Sequence, residues 1–201
     1  DILLYHFLAG MTNSKLFDDI ELFGMIPSSD CSLNKDIFGF MRQTRIIKGK
    51  YIPRKLIYGE NLLLRKNPKQ KAHLSYSTDQ RAIMGAVEEF KTLCINPDFK
   101  NKINTLRKSG KFNVCIFDDY MTHGNSFNAV RNLLKQLGAN KIIFVSLGNF
   151  GKPFQKRDYA INGDVYNIGY TYNMINSSIK SLSYNDTAKD EVSELYEIFN
   201  S

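Results

Sequence analysis

The feature that most restricts the fold is a strand–helix–strand unit between Phe112 and Leu147. Phe112-Asn113-Val114-Cys115-Ile116-Phe117 is a near-continuous apolar run, as expected of a strand buried on both faces of a parallel sheet. Residues 118–125 are polar and contain Gly124. A helix is then expected from about Ser126, which can cap it, with Phe127, Val130, Leu133, Leu134 and Leu137 on one face. Gly138 follows where a left-handed residue is wanted, and Ile142-Ile143-Phe144-Val145-Ser146-Leu147 supplies the next strand. Strand, helix and strand in that order form a crossover between parallel neighbours. The expected class is therefore α/β, with a Rossmann-like parallel sheet flanked by helices.

The flanking sequence extends this pattern. Leu22-Phe23-Gly24-Met25-Ile26 is expected to be a buried strand that stops at the turn residues Pro27-Ser28-Ser29-Asp30. Ser77-Thr78-Asp79-Gln80 has the form of a capping box, and Ile83, Met84, Val87, Phe90 and Leu93 recur behind it at helical spacing. Asn96-Pro97 is expected to end that helix, and a weaker helical stretch runs to Lys108-Ser109-Gly110. The last fifty residues are rich in Asn and Tyr (Tyr159, Tyr166, Tyr170, Tyr172, Tyr184, Tyr196). They are expected to serve packing or strand, followed by an amphipathic helix using Val192, Leu195, Tyr196 and Phe199. A single domain over residues 1–201 is expected, its core at about 22–150 and a C-terminal extension at 151–201. A chain that opens on Asp1 rather than Met is expected to lack an N-terminal region.

Charge is concentrated in one place. The chain of 201 residues carries a net +7, yet residues 42–71 hold ten basic side chains against Glu60 alone. That segment is +9 and the remainder −2. Such a cluster suits a polyanion, either a small pyrophosphate or a nucleic acid, and equally a solvated lysine-rich face. No apolar run approaches the length of a membrane span, and no signal peptide is legible. Three widely spaced cysteines (Cys31, Cys94, Cys115) fit neither a disulfide framework nor a zinc site and favour a reducing cytoplasm. Cys115 is expected to act as a small buried hydrophobe, and His6 and His73 as structural residues.

The chemistry is expected after the central strand, because ligands of open α/β sheets bind beyond the carboxyl ends of the strands. Asp118 and Asp119 stand at that end, and Thr122, His123, Gly124, Asn125 and Ser126 lead into a helix N-terminus suited to a phosphate. Gly124 lets backbone approach the anion. Two carboxylates beside a phosphate site are explained by hydrogen bonds to a vicinal diol with Mg²⁺ nearby. The loop asks for a ligand carrying both phosphate and ribose. A dinucleotide site wants three spaced glycines, and this loop has only Gly124.

Val114-Cys115-Ile116-Phe117-Asp118-Asp119-Tyr120-Met121-Thr122-His123-Gly124-Asn125-Ser126 resembles the signature of type I phosphoribosyltransferases: four apolar residues, two acids, two variable residues, then Thr-Thr-Gly-any-Thr. His123 replaces the second Thr and Ser126 the last. Leu137-Gly138-Ala139-Asn140-Lys141-Ile142 resembles the helix-to-strand joint that follows in the family. Upstream, Leu63-Leu64-Arg65, Lys69-Gln70-Lys71-Ala72-His73-Leu74-Ser75 and Arg81 are similar to the branch named for the competence protein ComF. Met25-Ile26-Pro27-Ser28-Ser29 resembles that branch's strand and pyrophosphate loop, whereas its cysteine-rich metal-binding head is absent.

The resemblance implies a type I phosphoribosyltransferase fold with a mobile basic loop and a small hood that selects the acceptor. It implies a glycosyltransferase that binds 5-phosphoribosyl-1-pyrophosphate, or a nucleoside 5′-monophosphate, with Mg²⁺. Asp118 and Asp119 would be the catalytic pair on the ribose hydroxyls, reaching the metal indirectly through the ligand. Thr122, His123, Gly124, Asn125 and Ser126 would hold the 5′-phosphate. Ser28 and Ser29, with Lys69, Lys71 and Arg81, would face the pyrophosphate. Two alternatives stand beside this enzyme: a donor- or nucleotide-binding regulatory module without catalysis, and a nucleic-acid-associated effector using residues 42–71. No membrane partner is expected, and a homo-oligomer stays open.

Overall fold

A computed structural model of the chain describes residues 6–8, 11, 15–49, 61–69, 85–149, 153–180 and 197. Its centre is a three-stranded parallel sheet of β1 (Leu22–Met25), β4 (Asn113–Met121) and β5 (Lys141–Asn149), in the order β1-β4-β5. Before β4 the chain forms α1 (Lys35–Ile47), β2 (Leu63–Arg65), a single turn α2 (Val87–Phe90), β3 (Leu93–Ile95) and α3 (Lys100–Lys108). Helix α4 (Asn125–Gln136) links β4 to β5, and a hairpin of β6 (Phe154–Asn162) and β7 (Thr171–Lys180) ends the described chain. The fold is mixed α/β and roughly Rossmann-like, as the central unit leads one to expect.

The unbroken apolar run of β4 follows from burial on both sides. Val114 and Ile116 join one core with Phe127, Val130, Leu133 and Leu134 of α4. Cys115 and Phe117 join a second core with Ile37, Phe40 and Met41 of α1. Strand β5 alternates in the same way, Ile142 and Phe144 toward the first core and Ile143 and Val145 toward the second. Val114, Ile116 and Phe117, fully buried, each contribute about 1.5–3 kcal/mol, which secures the two faces and hence the register. Helix α4 closes at Gly138, whose φ of 84° is in the left-handed region as expected.

Several elements differ from the reading of the sequence. Leu93 is not on a helix: α2 ends at Phe90, and Leu93 opens β3, which pairs antiparallel with β2. Asn96 and Pro97 do not end a helix; Asn96 caps a 3-10 turn over Pro97–Phe99, accepting from the Asp98 N–H at 3.0 Å. The capping box at Ser77–Gln80, with Ile83 and Met84, lies outside the described residues, as do Tyr184, Tyr196 and the expected last helix. Helix α1 was not expected; Asn34 caps it by accepting from Asp36 and Ile37 N–H groups. The Tyr-rich extension does serve packing and strand. Tyr159, Tyr166 and Tyr170 are buried in the first core, and Phe90 sits 4.8 Å from Tyr159 and 4.7 Å from Tyr172 between ring centroids.

Buried asparagines finish the edges that strands leave open. On α4, Asn128 accepts from the Arg157 N–H at 2.9 Å and donates to the Gln155 carbonyl at 2.6 Å. One turn on, Asn132 accepts from the Tyr159 N–H at 2.9 Å and donates to the Arg157 carbonyl at 2.9 Å. The helix thus presents a ladder of amides to β6, and the hairpin docks against α4 through paired backbone groups. Among the described residues no helix is long and apolar enough to cross a membrane.

Candidate functional site

Strand β4 does not stop at Phe117 as the polar residues suggest. It continues hydrogen-bonded to β5, with Asp118 opposite Ser146, Tyr120 opposite Gly148 and Met121 opposite Asn149. Its pairing with β1 ends earlier, at Phe117 opposite Met25, with one further bond from the Ile26 N–H to the Phe117 carbonyl at 2.9 Å. The acid pair therefore stands on a strand ledge, with a neighbour on the β5 side only. Asp118 is half-buried and Asp119 exposed. Asp118 Oδ1 accepts from the Asp119 N–H at 3.1 Å, and Asp119 Oδ1 from the Tyr120 N–H at 2.7 Å. Burial pushes the Asp118 carboxyl well above its ordinary range, with the charges of Asp119 and Glu89 adding to the effect.

Gly124 precedes α4 in a left-handed conformation, φ 75° and ψ 25°, which L side chains adopt only at a cost. The space its β-carbon would need is filled by the ring of Phe154 from β6. Packing and φ together require this glycine, and an anion on that side would meet the ring. Ser126 does not cap the helix. It lies inside α4, and its hydroxyl donates to Glu89 Oε1 at 2.8 Å. His123 is buried, its carbonyl accepting from the Gln155 N–H at 3.3 Å, and Asn125 Oδ1 accepts from the Arg157 guanidinium at 3.5 Å.

Glu89 is the centre of a buried ionic wall. Arg65 Nη2 meets Glu89 Oε2 at 2.9 Å, and the Lys69 ammonium pairs with Glu89 Oε1. Burial alone would raise this carboxyl, but Lys69 and Arg65 outweigh it and hold the group at about 2. Arg65 also donates from Nε to the Ser28 carbonyl at 2.9 Å, from Nη2 to the Pro27 carbonyl at 3.1 Å, and from Nη1 to Thr92 Oγ1 at 2.5 Å. The Lys69 N–H donates to the Ser29 carbonyl at 2.9 Å. The Ser28–Ser29 turn is thereby fastened to the chain between Arg65 and Lys69, and through Glu89 to the first turn of α4.

Two clefts meet at this wall. One, of about 490 Å³, is lined by Thr122, His123, Gly124, Asn125 and Ser126 together with Asp118. The other, of about 420 Å³, is lined by Ser28, Ser29, Asp118, Asp119 and Ser126. Lys69, Asp118, Tyr120 and Ser126 border both. The acid pair is thus divided: both carboxylates face the cleft of the serine turn, and Asp118 alone reaches the other. Of the binding and catalytic residues expected at this site, Lys71 and Arg81 lie outside the described residues, as does His73. Glu89 and Arg65 were missed as site residues, since Glu88-Glu89 resembles any acidic first turn.

The basic segment does not form one cationic face among its described members. Arg45 and Arg65 are buried, Lys48 pairs with Asp18 at 2.7 Å, and Lys69 pairs with Glu89. Arg42 and Lys66 are exposed, and Lys50, Arg54, Lys55 and Lys71 lie outside the described residues. No group of three or more metal-ligating side chains occurs among the described residues. No family model matches the chain, and neither does any curated protein or solved structure.

Proposed function

We propose that the protein binds 5-phosphoribosyl-1-pyrophosphate or a nucleoside 5′-monophosphate with Mg²⁺, in a type I phosphoribosyltransferase-like fold, and transfers phosphoribose to an acceptor with release of pyrophosphate. The observation that carries this reading is the shared cleft of Ser28, Ser29, Asp118 and Asp119. The turn and the acid pair come from distant parts of the chain, and the resemblance gives them adjoining parts of one ligand, the pyrophosphate and the ribose hydroxyls. Mg²⁺ bound to that ligand would neutralise the leaving pyrophosphate. Asp118 and Asp119 would accept hydrogen bonds from the ribose hydroxyls and stabilise positive charge developing on the sugar. The Lys69 ammonium and the serine turn would receive the pyrophosphate, so the chain's contribution is positioning and electrostatics.

The turning of Arg45 and Arg65 into the interior supports a small anion over a nucleic-acid backbone as the partner of this region. Calorimetry with phosphoribosyl pyrophosphate and Mg²⁺ tests the binding, and pyrophosphate release in the presence of a panel of bases tests the transfer. Binding heat that falls tenfold or more in affinity in the Asp118→Asn, Asp119→Asn double variant is the expected result. A folded protein that gives no heat with either ligand would overturn the reading.

A further inference from the structure

Resting on the reading of these clefts as an anion site, we infer that Glu89 is a specificity-determining residue: it turns Ser126 into a hydrogen-bond acceptor and so keeps phosphate oxygens away from that hydroxyl. A hydroxyl has one proton. Ser126 gives its proton to Glu89 Oε1 at 2.8 Å, and Glu89 is held ionised by Arg65 and Lys69. What Ser126 then shows the clefts is lone pairs alone. A phosphate oxygen, which at neutral pH also accepts, finds no donor there and meets the Glu89 carboxylate behind it.

The neighbouring cations fix what the wall does offer. Arg65 is consumed by the interior, its guanidinium divided among Glu89, Thr92 and the carbonyls of Pro27 and Ser28, with a side chain only 1% exposed. Lys69 keeps 17% exposure and has three ammonium protons, of which one goes to Glu89. Lys69 and Ser126 therefore place a donor and an acceptor side by side between the two clefts. Ser126 thus matches a group that gives a hydrogen bond and mismatches an ionised phosphate oxygen, while the remaining Lys69 protons stay available to an anion. The signature serine, expected from the family resemblance to hold phosphate, is assigned to a hydrogen-bond donor of the ligand instead.

The probe is a phosphate monoester, methyl phosphate, at about pH 8, where it carries no proton to donate, titrated calorimetrically into the full chain in the absence of metal. Glu89→Gln removes the negative charge and replaces the carboxylate that holds the Ser126 proton with a weaker acceptor, so phosphate should bind roughly tenfold tighter, whether or not wild type binds measurably. Ser126→Ala added to Glu89→Gln should remove most of that gain, which a general rise in positive charge would not predict. Glu89→Asp keeps a carboxylate for Arg65 but withdraws it from Ser126; it should tighten phosphate binding by a smaller factor and guards against misfolding of the Gln variant. Unchanged or weaker phosphate binding in both folded Glu89 variants would overturn the inference, as would a gain that survives Ser126→Ala intact. Wild type that ignores phosphoribosyl pyrophosphate while Glu89→Gln gains phosphate would refute the proposed function and leave this assignment standing.

Discussion

The Asn61 carboxamide holds both backbone groups of Met25, accepting its N–H at 2.8 Å and donating to its carbonyl at 2.9 Å. It does for the last residue of β1 what a neighbouring strand would do, and its amide also donates to the Leu63 carbonyl at 2.8 Å. The end of β1 is thus fixed where the serine turn leaves for the cleft.

Asn61→Leu keeps the branched outline of the side chain but strands the buried Met25 N–H and carbonyl, at a cost of roughly 3 kcal/mol. Urea denaturation should show that loss. Amide exchange should accelerate more at Met25 than at Phe23.

Gly124 and Phe154 should be energetically coupled. Gly124→Ala meets two penalties, a left-handed φ and a collision with the Phe154 ring, and is expected to cost about 2–4 kcal/mol. In a Phe154→Ala background the collision is gone and only the φ penalty, roughly 1–2 kcal/mol, remains. A double-mutant cycle with no coupling would mean that the ring does not guard the loop.

Glu89 makes stability fall in acid. Its carboxyl is lowered from 4.5 to about 2 in the folded chain, so the unfolded chain binds the extra proton between those values. The contribution is complete above pH 4.5 and is lost as pH falls through about 2. The urea midpoint should rise from pH 2 to pH 5 in wild type and rise less steeply in Glu89→Gln.

Asp118 behaves in the opposite sense. Burial and the charge of Asp119 raise its carboxyl above 3.8, so the stability it lends is present at low pH and is lost as pH rises through the folded value. Asp118→Asn removes a disfavoured charge and should stabilise the protein at neutral pH by about 0.5–2 kcal/mol, a gain typical of relieved functional sites. Ligand affinity should fall in the same variant. A variant less stable than wild type at pH 7 would show that the carboxylate is compensated by groups other than those named.

The parts of the fold legible in the sequence are those with both faces covered. Val114–Phe117 reads as a strand because α1 and α4 hide its opposite sides, Ile142–Leu147 because its half-buried side chains pack on both cores, and Gly138 marks the helix end by its backbone alone. The hairpin was only glimpsed, because Met174, Ile175 and Ile179 on β7 are 60–72% exposed and their pattern tracks no buried face. Leu93 misled because the spacing of Val87, Phe90 and Leu93 suits a helix, whereas the chain turns after Phe90 and buries Leu93 on a strand. The polar residues Asp118 and Asp119 suggest a loop but lie within β4, since strand pairing on one edge tolerates polar side chains. Glu89 and Arg65 could not be ranked above ordinary charges until their burial and mutual contact were known.

The unequal lengths of β1 and β4 make the cleft a matter of counting. From Asp118 to Met121 the longer strand runs about 13 Å beyond its shorter neighbour, at about 3.3 Å per residue. Depth of this kind cannot be tuned continuously: it changes in steps of one residue, and each step reverses which side chains face the opening. One residue inserted after Met25 would alter both the depth and the chemistry of the opening, whereas two would alter the depth and keep its facing.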